Sequence, residues 1–412
     1  MKKCKLGDLL EIQHGYAFKS ENYLHQGKFA LVTLANISES NNFQFNEDNL
    51  TYYESDFPKN MILNEGDLIM PMTEQVIGLL GNSAFIPVVK NFSFVLNQRV
   101  GKVIPKSCVD KYYLHYLLAT NEVKTQLEYR ASGTKQRNIS PDNIYDVTVY
   151  VPELHLQEKI GSVLYSIEKK INLNKKINAT LEAMAKTLYD YWFVQFDFPD
   201  ENGKPYKTSG GKMIYNAELG REIPAGWEVK RLSDFAIYAT EKISSENISI
   251  NQYIATDNML SNMQGIIISQ YEPLELKIQE FKCGDILLAN IRPYFKKIWL
   301  SYFDGGCNSD VLVIRSKNIK NAEYVYSTLA RDDFFSYNVA GAKGTKMPRG
   351  DKTHIMQYPI LSNEILTKSF VDKVRPIYRK IYESTVENNC LAALRDWLLP
   401  MLMNEQIKFK EF

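Results

Sequence analysis

Between Gln157 and Phe193 the chain carries no proline, and Gly161 is its only glycine. Apolar residues recur at Ile160, Leu164, Ile167 and Ile171, and again at Leu181, Leu188 and Trp192. Steps of three and four place them on one face of a helix. At 1.5 Å per residue such a helix spans roughly 50 Å. A rod of that length in mid-chain usually holds two bodies at a fixed distance.

The same pattern returns near the end of the chain. Ile167, Ile171, Asn178, Leu181 and Leu188 match Ile377, Ile381, Asn388, Leu391 and Leu398 at one constant offset, with Asn174 matching Ser384. Apolar seams interrupted by polar residues at equivalent points predict two helices that pack on each other, the polar positions meeting to fix the register.

The rest of the chain is duplicated in the same way. Residues 1–152 read as a domain of short strands and turns. Strands are expected over 29–34, 91–96, 99–104 and 148–152, with a Gly-Asp turn and an apolar strand over 63–70. A helix is expected over 112–127, followed by a polar loop over 131–140. Residues 153–196 form the first long helix. Residues 197–226, rich in Asp, Gly, Lys and Pro, read as a linker. Residues 227–361 form a second domain and 362–412 a second long helix.

Within that second domain, residues 229–235 stand where 5–9 stood, and Cys283-Gly-Asp285 answers Glu65-Gly-Asp67. Residues 324–330 answer 113–119, and the loop 341–349 answers 132–137. The expected class is therefore α+β, with two similar mixed α/β domains separated by two long helices in an internal repeat of pseudo-two-fold character. Segments 35–62 and 236–280 share little, as expected when one scaffold carries two recognition surfaces.

Composition narrows the class. With 45% hydrophobic and 24% charged residues the chain reads as soluble and globular. No apolar run approaches the roughly 20 residues that span a membrane, and the opening residues are not an apolar signal core. The five cysteines are scattered, so reduced thiols in a cytoplasm are expected and a zinc site is not. A net charge of +1 gives no overall attraction to nucleic acid, although a local patch suffices for phosphate contact.

No catalytic constellation emerges. Phosphate-binding glycine loops are missing, the five histidines share no metal-ligand spacing, and no Asn-Pro-Pro-Tyr or Asp-Pro-Pro-Tyr tetrapeptide is present. Glu275-Leu-Lys277 fits a short metal-nuclease pattern that also arises by chance in surface loops.

What remains is a binding signal. One loop gathers Ser132, Gly133, Thr134, Lys135, Gln136, Arg137 and Asn138; the other gathers Lys343, Gly344, Thr345, Lys346 and Arg349. Glycine admits close backbone approach, hydroxyls and amides hydrogen-bond, and Lys or Arg neutralises phosphate. Arg292, Tyr294, Lys296 and Lys297 mix cations with an aromatic, as nucleic-acid grooves do. Their expected counterpart is 70–75, sharing a proline. Gln75, Asn97 and Gln98 suit bidentate contacts to adenine, and Arg292 to guanine. On the residues alone three readings stay open: a non-catalytic DNA-binding subunit, a stand-alone enzyme acting on nucleic acid through Glu275 and Lys277, and a two-module protein scaffold.

The order of these features resembles the specificity subunit of type I restriction-modification systems. The residues that carry the resemblance are Lys5-Leu-Gly-Asp8, Glu65-Gly-Asp-Leu68, Ser132-Gly-Thr134, Pro152-x-x-x-x-Gln157, Ile167-Glu-Lys-Lys-Ile171, the run 181–198, and Ile223-Pro-Ala-Gly-Trp-Glu-Val229. It covers essentially the whole chain.

The resemblance implies two target-recognition domains, each reading one half of a split double-stranded DNA target. It also implies antiparallel packing of the two long helices, which act as spacer and dock two methyltransferase subunits. Restriction and translocase subunits complete the complex. This chain is then not itself an enzyme and holds no cofactor, S-adenosylmethionine belonging to the methyltransferase. Four departures stand out: Ser233 replaces Gly7, no glutamine answers Gln157, Pro376 is expected to start or kink the second helix, and the second copy ends in Trp397-Leu-Leu-Pro400.

Overall fold

The computed structural model describes residues 1–38, 40–75, 77–407 and 409. The chain divides into two compact units, residues 1–172 with 388–412, and residues 173–387. The division falls inside both long helices, Leu154–Tyr189 and Glu364–Met403.

In the first unit, Lys2–Lys5 pairs antiparallel with Thr148–Val151, tying the start of the module to its end. A four-stranded antiparallel sheet follows the order Leu10–His14, Val100–Pro105, Leu68–Pro71, Ala84–Phe85. The second unit repeats both. Glu228–Arg231 pairs with Pro359–Ser362, and a sheet runs Ala236–Tyr238, Val311–Ser316, Ile286–Ala289, Ile298–Leu300.

Each module adds a second small sheet with one parallel pair: Phe29–Val32 beside Ser93–Leu96, and Tyr253–Ile254 beside Gly305–Cys307. The remaining pairings of these sheets differ, Phe29–Val32 also pairing Tyr52–Tyr53 while Lys277–Phe281 pairs Gly305–Cys307. Tyr52–Tyr53 and most of Lys277–Phe281 lie in the segments in which the two sequence copies share little.

The recurrent Gly-Asp is a turn device. Gly66 and Gly284 adopt positive φ (+77° and +91°), where a side chain is strained. Asp67 then accepts from the Asn64 N–H (2.8 Å) and the Lys102 ammonium (2.7 Å). Asp285 accepts from the Lys282 N–H (2.8 Å) and, in a fork, from Arg315 at 2.8 and 2.7 Å. Two different cations serve one turn. Likewise Asp8 accepts from the Lys5 N–H and Asp234 from the Arg231 N–H, closing the single helical turn near each module's start. Ser233 in place of Gly7 coincides with a change of neighbour: a Cβ on Gly7 would lie 2.8 Å from the Cβ of Tyr145, and Met356 holds the equivalent place in the second module.

Several sequence expectations need correction. The helix expected over 112–127 is two, Lys111–Leu118 and Asn121–Arg130, because Thr120 turns extended and its hydroxyl bonds the Leu117 carbonyl at 2.8 Å. The second long helix neither starts nor ends at a proline. It begins at Glu364 and passes through Pro376, with Phe370, Val371 and Val374 buried on one side and Ile377 and Tyr378 packed on the core on the other. That burial outweighs the one N–H bond that proline forfeits.

The first long helix gives way at Asp190–Val194 to a wider π turn. The supposed linker is folded. Met213–Asn216 and Arg221–Pro224 form a hairpin, while Phe198 stacks on Tyr206 and Trp227 (4.7 and 5.3 Å between ring centroids), inside the second unit's core.

The helix pairing is polar at its middle. In the second unit Asn174 donates to Glu387 (2.7 Å), and Asn178 donates to the Ile381 carbonyl (3.4 Å) and to Thr385 (3.3 Å). Partner numbers fall as residue numbers rise, so the helices run antiparallel. In the first unit Arg395 donates to Glu168 (3.3 Å), which is 5% exposed. Apolar contact lies elsewhere: Leu188 and Ile377 pack on the second unit's core and Leu398 on the first's. Ile171 is buried, and Ile167, Leu181, Ile381, Asn388 and Leu391 are half-buried.

Gly161 and Gln157 seat the first helix on its module. A Cβ on Gly161 would stand 2.4 Å from Asp110 Oδ1 and 2.6 Å from the Tyr113 nitrogen, so only glycine admits this approach. Gln157, 2% exposed, accepts from the Asp110 N–H (3.1 Å) and donates to the Pro152 carbonyl (2.9 Å).

Candidate nucleic-acid interface

The polar loop of each module is a tight hairpin laid against the strand that follows the Gly-Asp turn. In the first module Ser132 bridges Asn138, and 137–138 pairs with 73–74 in the register Arg137 to Glu74 and Asn138 to Thr73. In the second, Lys343 bridges Arg349, and Arg349 bridges Ile291. The Arg292 N–H donates to the Pro348 carbonyl at 2.8 Å. Gly133 and Gly344 take positive φ (+118° and +101°) at the same point of each hairpin. Gly133-Thr134-Lys135 and Gly344-Thr345-Lys346 therefore occupy equivalent tips, all exposed.

Counting from Gly66-Asp67 and Gly284-Asp285 fixes the remaining correspondences. Pro71 stands opposite Ala289, and Glu74 opposite Arg292. The expectation that Pro71 answers Pro293 is thus replaced by a register four residues away. The ladder supports this: the Met72 N–H donates to the Arg99 carbonyl, as the Asn290 N–H does to the Asp310 carbonyl. Arg99 and Asp310 are then equivalents, as are Arg137 and Pro348, and Asn138 and Arg349.

The two modules fill these equivalent positions with opposite chemistry. In the first, Glu74 is 1% exposed. It accepts from the Leu79 and Leu80 N–H groups (3.0 Å each) and from the Arg137 guanidinium, and so orders two loops at once. Asn138 accepts from the Thr73 hydroxyl (2.8 Å) and Gln136 (3.3 Å). In the second module Arg292 takes the acidic position, its Nε buried without a partner among the described residues. Arg349 pairs with Asp310 at 2.8 Å, and Lys343 bonds Asp351, whose carboxyl is drawn down to about 2 chiefly by that hydrogen bond.

The cations of the sequence-derived set divide accordingly. Lys296 pairs with Asp332, and Lys297 donates to the Thr256 carbonyl (2.6 Å). Lys135 and Lys346 are exposed and make no ion pair among the described residues. They are the charges most available to a phosphate.

Gln75 is exposed just beyond the Thr73–Glu74 strand. Gln98 is exposed in the turn before Val100–Pro105, its N–H donating to the Tyr16 carbonyl (2.9 Å), and Asn97 is half-buried beside it. Tyr294 projects at 49% exposure. Glu74, Arg99 and Asp310 were missed by the sequence reading; the offset of the Gly-Asp repeat, carried forward without a gap, places Glu74 opposite Arg292.

Among the described residues no cluster of three or more His, Cys, Asp or Glu side chains is placed to hold a metal. Glu275 and Lys277 are exposed where the strand Lys277–Phe281 begins, with Leu274 fully exposed beside them. Donors, acceptors and two free lysines on paired hairpins suit them to binding an anionic polymer.

The type I restriction modification DNA specificity domain family matches residues 1–183. The specificity subunit of type I restriction enzyme MjaIX from Methanocaldococcus jannaschii is 27% identical over 345 residues, 79% of this chain and 76% of that protein. The HindI specificity subunit of Haemophilus influenzae is 24% identical over 396 residues, 78% of this chain and 81% of its own length. The crystal structure of a type I restriction-modification S subunit from M. genitalium aligns with a TM-score of 0.58 at 12% identity, covering 100% of this chain and 96% of that one, a likeness of fold.

Proposed function

We propose that the chain is a member of the type I restriction-modification DNA specificity family, which its first 183 residues match, and that its two modules each read one half of a bipartite double-stranded DNA target. The observation that carries this reading is the hairpin built twice. A Gly-Thr-Lys tip offers the same backbone amides, hydroxyl and lysine in both modules, while the strand beside it buries Glu74 beneath its loops in one and carries the half-buried Arg292 in the other. Common tips suit the phosphate backbone, which is the same everywhere; a guanidinium carried by one module alone suits a base edge, which is not.

The subunit itself is non-catalytic. It works with two methyltransferase subunits, which bring S-adenosylmethionine, and with restriction and translocase subunits that cut and move DNA. The long helices serve as spacer and as docking surface. Among the described residues no helix is long and apolar enough to cross a membrane, and the site of action proposed is the cytoplasm, where the DNA lies.

Purified with its methyltransferase partner, the chain should protect one split sequence from nuclease digestion. Protection with no sequence preference would refute the reading.

A further inference from the structure

Beyond the Arg292 position the second module carries a feature that the polar hairpins do not explain. Pro293–Phe295 forms a single 3-10 turn whose two flanking residues, Arg292 and Lys296, both adopt left-handed backbone (φ +50° and +53°). Side chains adopt that conformation at a cost, and it persists only where the surroundings hold it. Here they do. The Phe295 N–H donates to the Arg292 carbonyl (3.0 Å), and the Asn262 and Met263 N–H groups donate to the carbonyls of Phe295 (2.9 Å) and Lys296 (2.8 Å). Asn262 and Met263 are themselves left-handed (φ +56° and +63°).

The turn holds two aromatic rings outward. Tyr294 is 49% and Phe295 39% exposed, their centroids 4.8 Å apart. Lys297 lies 5.9 Å from the Phe295 ring, and Arg292 begins the turn. Large aromatic faces kept in water on a fixed turn, bordered by cations, are placed to meet a flat, apolar, anion-borne partner.

We propose that Tyr294 and Phe295 form a stacking wedge that inserts against a base step of the half-site read by the second module. The inference rests on the DNA-reading function proposed above. Base faces stack on aromatic rings irrespective of sequence, and apolar wedges unstack the step they enter. A wedge therefore contributes affinity, and specificity through how readily a given step opens. Among the described residues, the corresponding loop of the first module presents the aliphatic Ile77, 75% exposed, which can wedge but not stack.

The test uses the full chain assembled with its methyltransferase subunits, bound to duplexes carrying 2-aminopurine at successive positions of the second half-site. The expected result is a fluorescence rise at one step other than the methylated base, which methyltransferases extrude on their own account. Tyr294→Ala/Phe295→Ala should abolish that rise and weaken specific binding by roughly 5- to 100-fold. The salt dependence should stay unchanged, since no phosphate contact is removed.

A wild-type complex that binds specifically yet shows no rise overturns the wedge, as does a rise that survives in the variant. So does a variant that fails to assemble with the methyltransferase, which would assign the rings to a protein contact. A wild-type complex with no sequence preference overturns the DNA-reading function and the wedge with it.

Discussion

Arg137 and Glu74 face each other across a two-residue ladder, and the carboxylate so held is 1% exposed. In the second module the same two places hold Pro348 and Arg292. Arg137 is therefore a positioning residue of its loop, while Lys135 two residues away is free.

Two neighbouring cations should consequently behave differently when removed. Arg137→Ala leaves a buried carboxylate unpaired and should cost about 3 kcal/mol. It should also speed hydrogen exchange at the Leu79 and Leu80 amides, which Glu74 accepts. Lys135→Ala should leave the melting temperature alone and lower the slope of log affinity against log salt by about one. Thermal melting and a salt titration on the same pair of variants check both.

In the second module Lys346→Ala should behave like Lys135→Ala. Arg292→Ala should instead relax preference at one base pair by about 1–3 kcal/mol, and only in the half-site that module reads. Competition binding against single-base variants of the target measures this. Relaxation in both half-sites would show that Arg292 acts on the protein rather than on a base.

The helix pair yields a third prediction. Arg395 meets Glu168, with side chains 18% and 6% exposed, and the Tyr116 hydroxyl donates to the same carboxylate (3.5 Å). Glu168→Ala and Arg395→Ala should each destabilise by about 2–4 kcal/mol. Their double variant should lose less than the sum, by about 1–3 kcal/mol. Additive losses in denaturant melts would deny the coupling. In the second module the corresponding contact is Ser327 to the Tyr378 hydroxyl at 2.9 Å. The small and large partners have changed sides and no charge is involved, so that end should tolerate salt better.

His115 gives a pH dependence. It is buried beside the Ser83 hydroxyl (2.7 Å), and burial, with Arg395 nearby, pushes its pKa from 6.5 down to about 3. The unfolded chain binds this proton at higher pH than the folded one. The stability tied to neutral His115 is therefore fully present above pH 6.5 and is lost as pH falls toward 3. His115→Gln should flatten stability against pH across that window. An unchanged slope would show that other groups govern it.

Local rules carried much of the fold, and they failed where tertiary contact overrides them. Gly66-Asp67 and Gly284-Asp285 announce their turns because positive φ and a capping carboxylate are local requirements. Pro376 misled as a helix start because the burial that carries the helix through it comes from the module beneath. The 197–226 segment has the composition of a linker, yet Phe196, Phe198 and Trp227 give it a core to join. At the candidate interface the hairpins were legible from their Gly-Thr-Lys repeat. The roles of their cations were not, since Glu74, Asp310 and Asp332 are distant in sequence from Arg137, Arg349 and Lys296.

The central claim is that this chain chooses the DNA sequence. The most direct measurement maps modified bases genome-wide in a host carrying the cognate methyltransferase, with and without this chain. The account predicts one split motif, present only with the chain, and altered in a single half when Arg292 is replaced. Identical modification patterns in the two hosts would contradict it.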